Sequence, residues 1–101
     1  MAFARLALFP DGTEAHHQAI VEALGDAQVS AEGRIMFAAG PTDEGWHILQ
    51  IWETREQLER WVQDNLGRAF AQVGNRGYPA PPVITDFEIH DLLVGPALAT
   101  R

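Results

Sequence analysis

The stretch GWHILQIWETREQLERWV, residues 45–62, runs a strand almost directly into a helix. Successive side chains of a strand point to opposite faces, so Trp46, Ile48 and Trp52 share one side while Leu49 and Ile51 share the other. A strand with one solvated face alternates apolar and polar residues. This one is apolar on both, and so are FARLALF (3–9) and RIMFAAG (34–40). Whatever sheet these strands build must have both of its faces covered.

At 101 residues the chain is a single domain, 1–101, because two would each fall below the size that holds a core. Residues 2–9 are predicted as a first strand, closed by the turn Pro10-Asp11-Gly12. Thr13 caps a helix in which His17, Ile20, Val21 and Leu24 recur at i, i+3, i+4 and i+7, with Gly25 as its stop. Strands at 34–40 and 46–53 are joined by the short PTDEG connection and so pair antiparallel. Thr54 and Gln57 match a capping box, after which Leu58, Trp61, Val62, Leu66, Ala69, Phe70 and Val73 fall on one helical face. At Gly67 that helix bends or frays, and Gly74 is its end. The proline-rich NRGYPAPP is a loop, VITDFEIHDLL (83–93) is a last strand, and the tail from about 94 is loose or docked on a partner.

The order β-α-β-β-α-β predicts a ferredoxin-like α+β fold, a four-stranded antiparallel sheet with both helices on one face. The other face would then exceed the largest apolar patch of a typical monomer, about 300–600 Å². Its expected cover is an identical sheet from a second chain about a two-fold axis, which makes a homodimer shaped as a dimeric α+β barrel.

Composition excludes several functions. Seven arginines and no lysine stand against fourteen acids, a net charge of −7, which argues against nucleic acid and against an anionic membrane surface as partners. Without cysteine there is no disulfide, thiolate nucleophile or Cys-based metal site. His16 and His17 are adjacent and no HxxxH occurs, so no metal site is expected. Ser30 is the only serine, which leaves a serine triad without a basis. The apolar run near the N-terminus is short and broken by Arg5, and no segment approaches about 20 apolar residues; a cytoplasmic protein is the expectation.

The candidate site residues are polar groups set among apolar ones. Gln50 shares a strand face with Ile48 and Trp52, so its amide must find partners inside a layer. Arg5, between Phe3 and Ala7 on its face, either reaches solvent past an edge or is a buried cation needing a carboxylate or an anionic substrate. His17 lies on the apolar stripe of the first helix, as a core histidine or an acid–base group. His90 shares parity with Asp86 and Glu88, giving a polar edge or, if that face turns inward, a Glu88–His90 acid–base pair. Trp52 and Trp61 are core residues or a platform for an aromatic ligand, and Asn65 follows Trp61 by one turn.

The segment AGPTDEGWHILQIWETREQLERWVQDNLGRAF (39–70) resembles the dimeric α+β-barrel proteins related to antibiotic biosynthesis monooxygenases, in particular small bacterial members. Gly45-Trp46 opening a strand, Trp52-Glu53-Thr54 leaving it and Trp61 in mid-helix carry the likeness, and FEIHDLL resembles the closing strand. The resemblance implies a small-molecule-binding homodimer acting on an aromatic or apolar metabolite, as a cofactor-independent oxygenase-like or isomerising enzyme. In such oxygenases Asn, Trp, Tyr and Arg surround a substrate whose own anion activates oxygen, and Asn65, Trp61 and Trp52 are the counterparts here. Heme-degrading relatives have an Asn on the first strand and a His on the second helix, both missing here, so no cofactor is expected. With the residue readings above, His17, Asn65 and His90 become the candidate catalytic groups, and Arg5, Gln50, Trp52 and Trp61 the candidate substrate contacts. The alternative is a non-catalytic dimeric module that senses a ligand or acts as an accessory protein.

Overall fold

A computed structural model describes residues 2–99, so the last two residues of the expected tail lie outside the described residues. Four strands, β1 (Phe3–Pro10), β2 (Arg34–Thr42), β3 (Gly45–Trp52) and β4 (Val83–Glu88), form one sheet in the order β2-β3-β1-β4. Every neighbouring pair is antiparallel. Helix α1 (Glu14–Leu24) links β1 to β2. Helices α2 (Arg55–Trp61) and α3 (Gly67–Val73), joined by a π-helical turn at Val62–Leu66, link β3 to β4. A short α4 (Pro96–Ala99) ends the described chain. This is the expected ferredoxin-like arrangement.

Local chemistry sets the element boundaries. The Thr13 hydroxyl accepts the His16 backbone N–H, while His16 Nδ1 accepts the Thr13 N–H, a reciprocal cap with histidine in place of the usual Glu or Gln. Thr54 and Gln57 do the same for α2. Gly45 opens β3 at φ 145°, and a Cβ there would collide with the Phe9 carbonyl, so only glycine fits.

Three elements differ from expectation. β2 continues through Gly40-Pro41 to Thr42, which is possible because β2 is an edge strand and Pro41 withholds no N–H from a second neighbour. β4 stops at Glu88 rather than near 93: Glu88 lies opposite Phe3, the first residue of β1, and the Ile89 N–H still bonds the Ala2 carbonyl. The long helix does not bend at Gly67. It widens just before it, with the Gly67 N–H bonding the Val62 carbonyl five residues back.

The helices pack on the sheet face that presents Phe3, Ala7 and Phe9 from β1 and Trp46 and Trp52 from β3. Burial there falls into two clusters, one around Phe3, Trp52, Leu58, Trp61 and Ala69, the other around Ala7, Phe9 and Trp46. Phe70 and Tyr78 pack against both. Between the clusters, β1 and β3 carry Arg5 and Gln50. The opposite face presents Ala4 and Leu6 from β1 and Leu49 and Ile51 from β3. Ala4 and Ile51 are buried there, but Leu6, Val83 and Phe87 are 37%, 59% and 51% exposed, respectively.

Candidate functional site

The gap between the two core clusters is a cavity of about 160 Å³. That is smaller than the usual small-molecule site, about 300–1,000 Å³. Ala7, Phe9 and Ile48 give it an apolar floor, and Ile20, Val21, Leu24, Leu66 and Phe70 close it from the helices.

One polar row crosses the floor. The strand registers align Asp86, Arg5, Gln50 and Phe37 across all four strands on the helix-facing side. Arg5 Nε donates to Asp86 Oδ1 at 2.8 Å and Nη2 donates to Oδ2 at 2.8 Å, a bidentate fork. These bonds hold the Asp86 carboxyl below its usual range and raise Arg5 above its own, in both cases against an opposing contribution from burial. Of the two readings open for Arg5, the structure gives the cation paired with a carboxylate. Gln50, 7% exposed, accepts the Trp52 indole N–H through Oε1 at 3.0 Å. Indole can only donate, so the carboxamide oxygen faces Trp52 and the NH₂ group is left to donate elsewhere. Arg5 has N–H groups beyond the two that bond Asp86, so both polar residues of the row can donate further.

His17 closes the same cavity from α1, half-buried. Its ring stacks near Trp46 (centroids 5.1 Å apart) and Phe37 (6.0 Å), and Nδ1 lies 3.3 Å from the Tyr78 hydroxyl. Tyr78 in turn stacks on Phe9 at 3.8 Å. Burial lowers the His17 pKa, against a smaller opposing pull from Glu14, and raises that of Tyr78. Folded His17 thus takes its proton at a lower pH than the unfolded chain does. Between that lowered value and about 6.5 the unfolded state binds more protons, so stability rises with pH there. Melting temperatures measured from about pH 5 to about pH 7 should climb, and the His17→Gln variant should climb less steeply. An equal climb would mean that another group is responsible.

Arg5, His17, Gln50 and Trp61 therefore come together around one cavity. Trp52 stands just beyond its wall, fully buried, and holds Gln50 in orientation. Asn65 does not join them: the i→i+5 turn brings Leu66 to the cavity, and Asn65 lies in a polar surface hollow with Glu32, Arg60 and Asp64. His90 lies exposed, two residues past the end of β4, and Glu88 lines a separate hollow with Phe3 and Arg55. Neither reaches the cavity. Phe37, Tyr78 and Asp86 belong to the site without having been singled out as site residues. For Asp86 the available signal was an acid at a parity able to face Arg5, but Glu88 shares that parity, and it needed the register to become readable.

No protein-family model matches the sequence, and no curated protein matches it either. Solved structures do match over nearly the whole chain. Rv0793 from Mycobacterium tuberculosis superposes with a TM-score of 0.70 at 17% identity, over 93% of this chain and 100% of that one. A Chloroflexus aurantiacus protein provisionally described as an antibiotic biosynthesis monooxygenase gives 0.66 at 13% identity, over 94% and 100%. A Jannaschia protein described as dimeric, ferredoxin-like and of unknown function gives 0.62 at 17% identity, over 88% and 100%. At such identities the likeness establishes the shared fold. Among the described residues no helix is long and apolar enough to cross a membrane.

Proposed function

We propose that this chain is a homodimer whose cavity binds a small apolar or aromatic molecule bearing an oxygen acceptor, and that it converts this ligand by proton abstraction. The observation behind this reading is the Arg5–Gln50 donor row crossing an apolar cavity that His17 also lines. In the tautomer that donates Nδ1–H to the Tyr78 oxygen, His17 keeps the Nε2 lone pair, and Nε2 has no partner among the described residues. It would take a proton from a carbon α or vinylogous to a carbonyl, or from a phenolic hydroxyl. Arg5 and Gln50 would hydrogen-bond the enolate or phenolate oxygen as charge builds on it, and water-free walls strengthen those bonds. Return of the proton to a second carbon isomerises the ligand. In the oxygenating case dioxygen adds to the carbanion, the proton completes a hydroperoxide, and loss of water leaves a carbonyl.

Dimerisation is supported by the exposed Leu6, Val83 and Phe87 on the uncovered face, and by solved structures of this fold from Jannaschia and Thermobifida fusca that are described as dimeric. The test of activity uses a panel of hydroxylated naphthalenes and anthrones, followed by oxygen uptake and by product isomers. His17→Ala should lower turnover about 100-fold or more, within the range expected for loss of a general base. Ligands that raise the melting temperature of the native protein without being turned over would make it a binding module instead.

A further inference from the structure

A second arginine lies near this cavity, and its surroundings are the reverse of those of Arg5. Arg34 opens β2 opposite Trp52, and its guanidinium carbon sits 4.7 Å from the Trp61 ring centroid, 5.0 Å from Phe37 and 5.3 Å from Trp52. Aromatic rings thus occupy its surroundings, a favourable but weak arrangement for a cation. Nη1 donates to the Gln28 carbonyl at 2.6 Å. Nε and Nη2 are buried and have no partner among the described residues, and the same is true of Gln28 Oε1. Nε and Nη2 are the two nitrogens with which Arg5 grips Asp86. In Arg34 that fork is empty.

Burial lowers the Arg34 pKa with no opposing contribution from a carboxylate. A buried guanidinium of this kind is held at a cost that an anion in its fork would offset, because paired charge-assisted bonds replace lost hydration. Gln28, Phe37 and Trp61, all touching Arg34, also line the cavity. Across the sheet, β2 is two strands from β1, so Arg34 and Arg5 stand about 10 Å apart or somewhat more. Arg5 thus lines the cavity, and Arg34 stands behind its Phe37 and Trp61 wall.

We infer that the ligand is an apolar acid, whose carboxylate enters the Nε/Nη2 fork of Arg34 once the Gln28 side chain swings aside. Its apolar body then lies along Phe37 and Trp61, with its far end toward Arg5 and Gln50. This rests on the cavity being a small-molecule site and specifies what it selects.

The experiment compares 2-naphthoate with its neutral amide, 2-naphthamide, by calorimetry on the full chain and on the variants Arg34→Leu, Arg34→Lys and Ile48→Trp. Native protein should bind the carboxylate at least tenfold tighter than the amide. Arg34→Leu should abolish that preference, and Arg34→Lys, which keeps the charge but not the fork, should lose most of it. Leucine removes an unpaired buried charge, so this variant should fold; circular dichroism checks it, and the lysine variant tests the fork independently. A preference that survives Arg34→Leu, or equal binding of both probes that Ile48→Trp abolishes, overturns the Arg34 subsite and leaves the cavity reading intact. Binding of neither probe, or binding indifferent to Ile48→Trp, overturns both.

Discussion

Trp52→Ala should lower the melting temperature by about 16 °C or more, and in a chain of this size it can abolish folding. Trp52 is completely buried, its ring lies 5.9 Å from that of Trp61, and its indole N–H is the donor that Gln50 Oε1 accepts. Removing a buried tryptophan costs about 3–5 kcal/mol through lost transfer energy and the space left behind. Leaving Gln50 Oε1 buried and unpartnered adds about 1–3 kcal/mol. In a domain of about 100 residues each kcal/mol is worth roughly 4–8 °C. Trp52→Phe separates the two contributions: it keeps most of the packing but loses the donor, and should fall between native and alanine. Its Gln50 amide would then be free to turn, so ligand selectivity should loosen more than stability does. Urea and thermal melts read the first effect and ligand panels the second. A Trp52→Ala protein that melts within a few degrees of native would place this residue outside the core.

Much of this was legible in the sequence because it is local or periodic. Thr13 and Thr54 announce helix starts through spacing alone, and both caps form. The stripe His17, Ile20, Val21 and Leu24 identifies the face of α1 that closes the cavity, and all four line it. The two-sided apolar strands correctly indicate a sheet with one face left over. What stayed hidden depends on alignment between distant segments. Asp86 meets Arg5 only because β4 joins β1 in a particular register, 81 residues away along the chain. Tyr78, in a proline-rich loop with no periodicity, reaches His17 through its stacking on Phe9. Asn65 fell outside because it only flanks the apolar stripe, where Leu66 turns to the cavity and Asn65 to the surface. His90 fell outside because strand propensity continues past Glu88 while its partner strand does not.

The largest effect on assembly should come from Leu6→Asp. Leu6 lies on β1, an inner strand, on the face away from the helices, opposite Leu49 on one side and Thr85 on the other. In the proposed dimer this position is covered by the partner's sheet, so an aspartate there would be a buried carboxylate without a cation. Such an unpaired charge costs on the order of 3 kcal/mol or more. Two-fold symmetry places one on each subunit, so the association loses roughly 6 kcal/mol, about four decades in Kd. Sedimentation at micromolar concentration should therefore show the native chain as a dimer and Leu6→Asp as a folded monomer. The substitution lies across the sheet from Arg5, Gln50 and His17, so the monomer should still bind cavity ligands as long as the partner adds nothing to the site. If binding is lost along with the dimer, the second subunit helps to build the cavity. If the native chain itself sediments as a monomer, the exposed Leu6, Val83 and Phe87 require a different cover, and the resemblance to dimeric structures stops at the fold of the single chain.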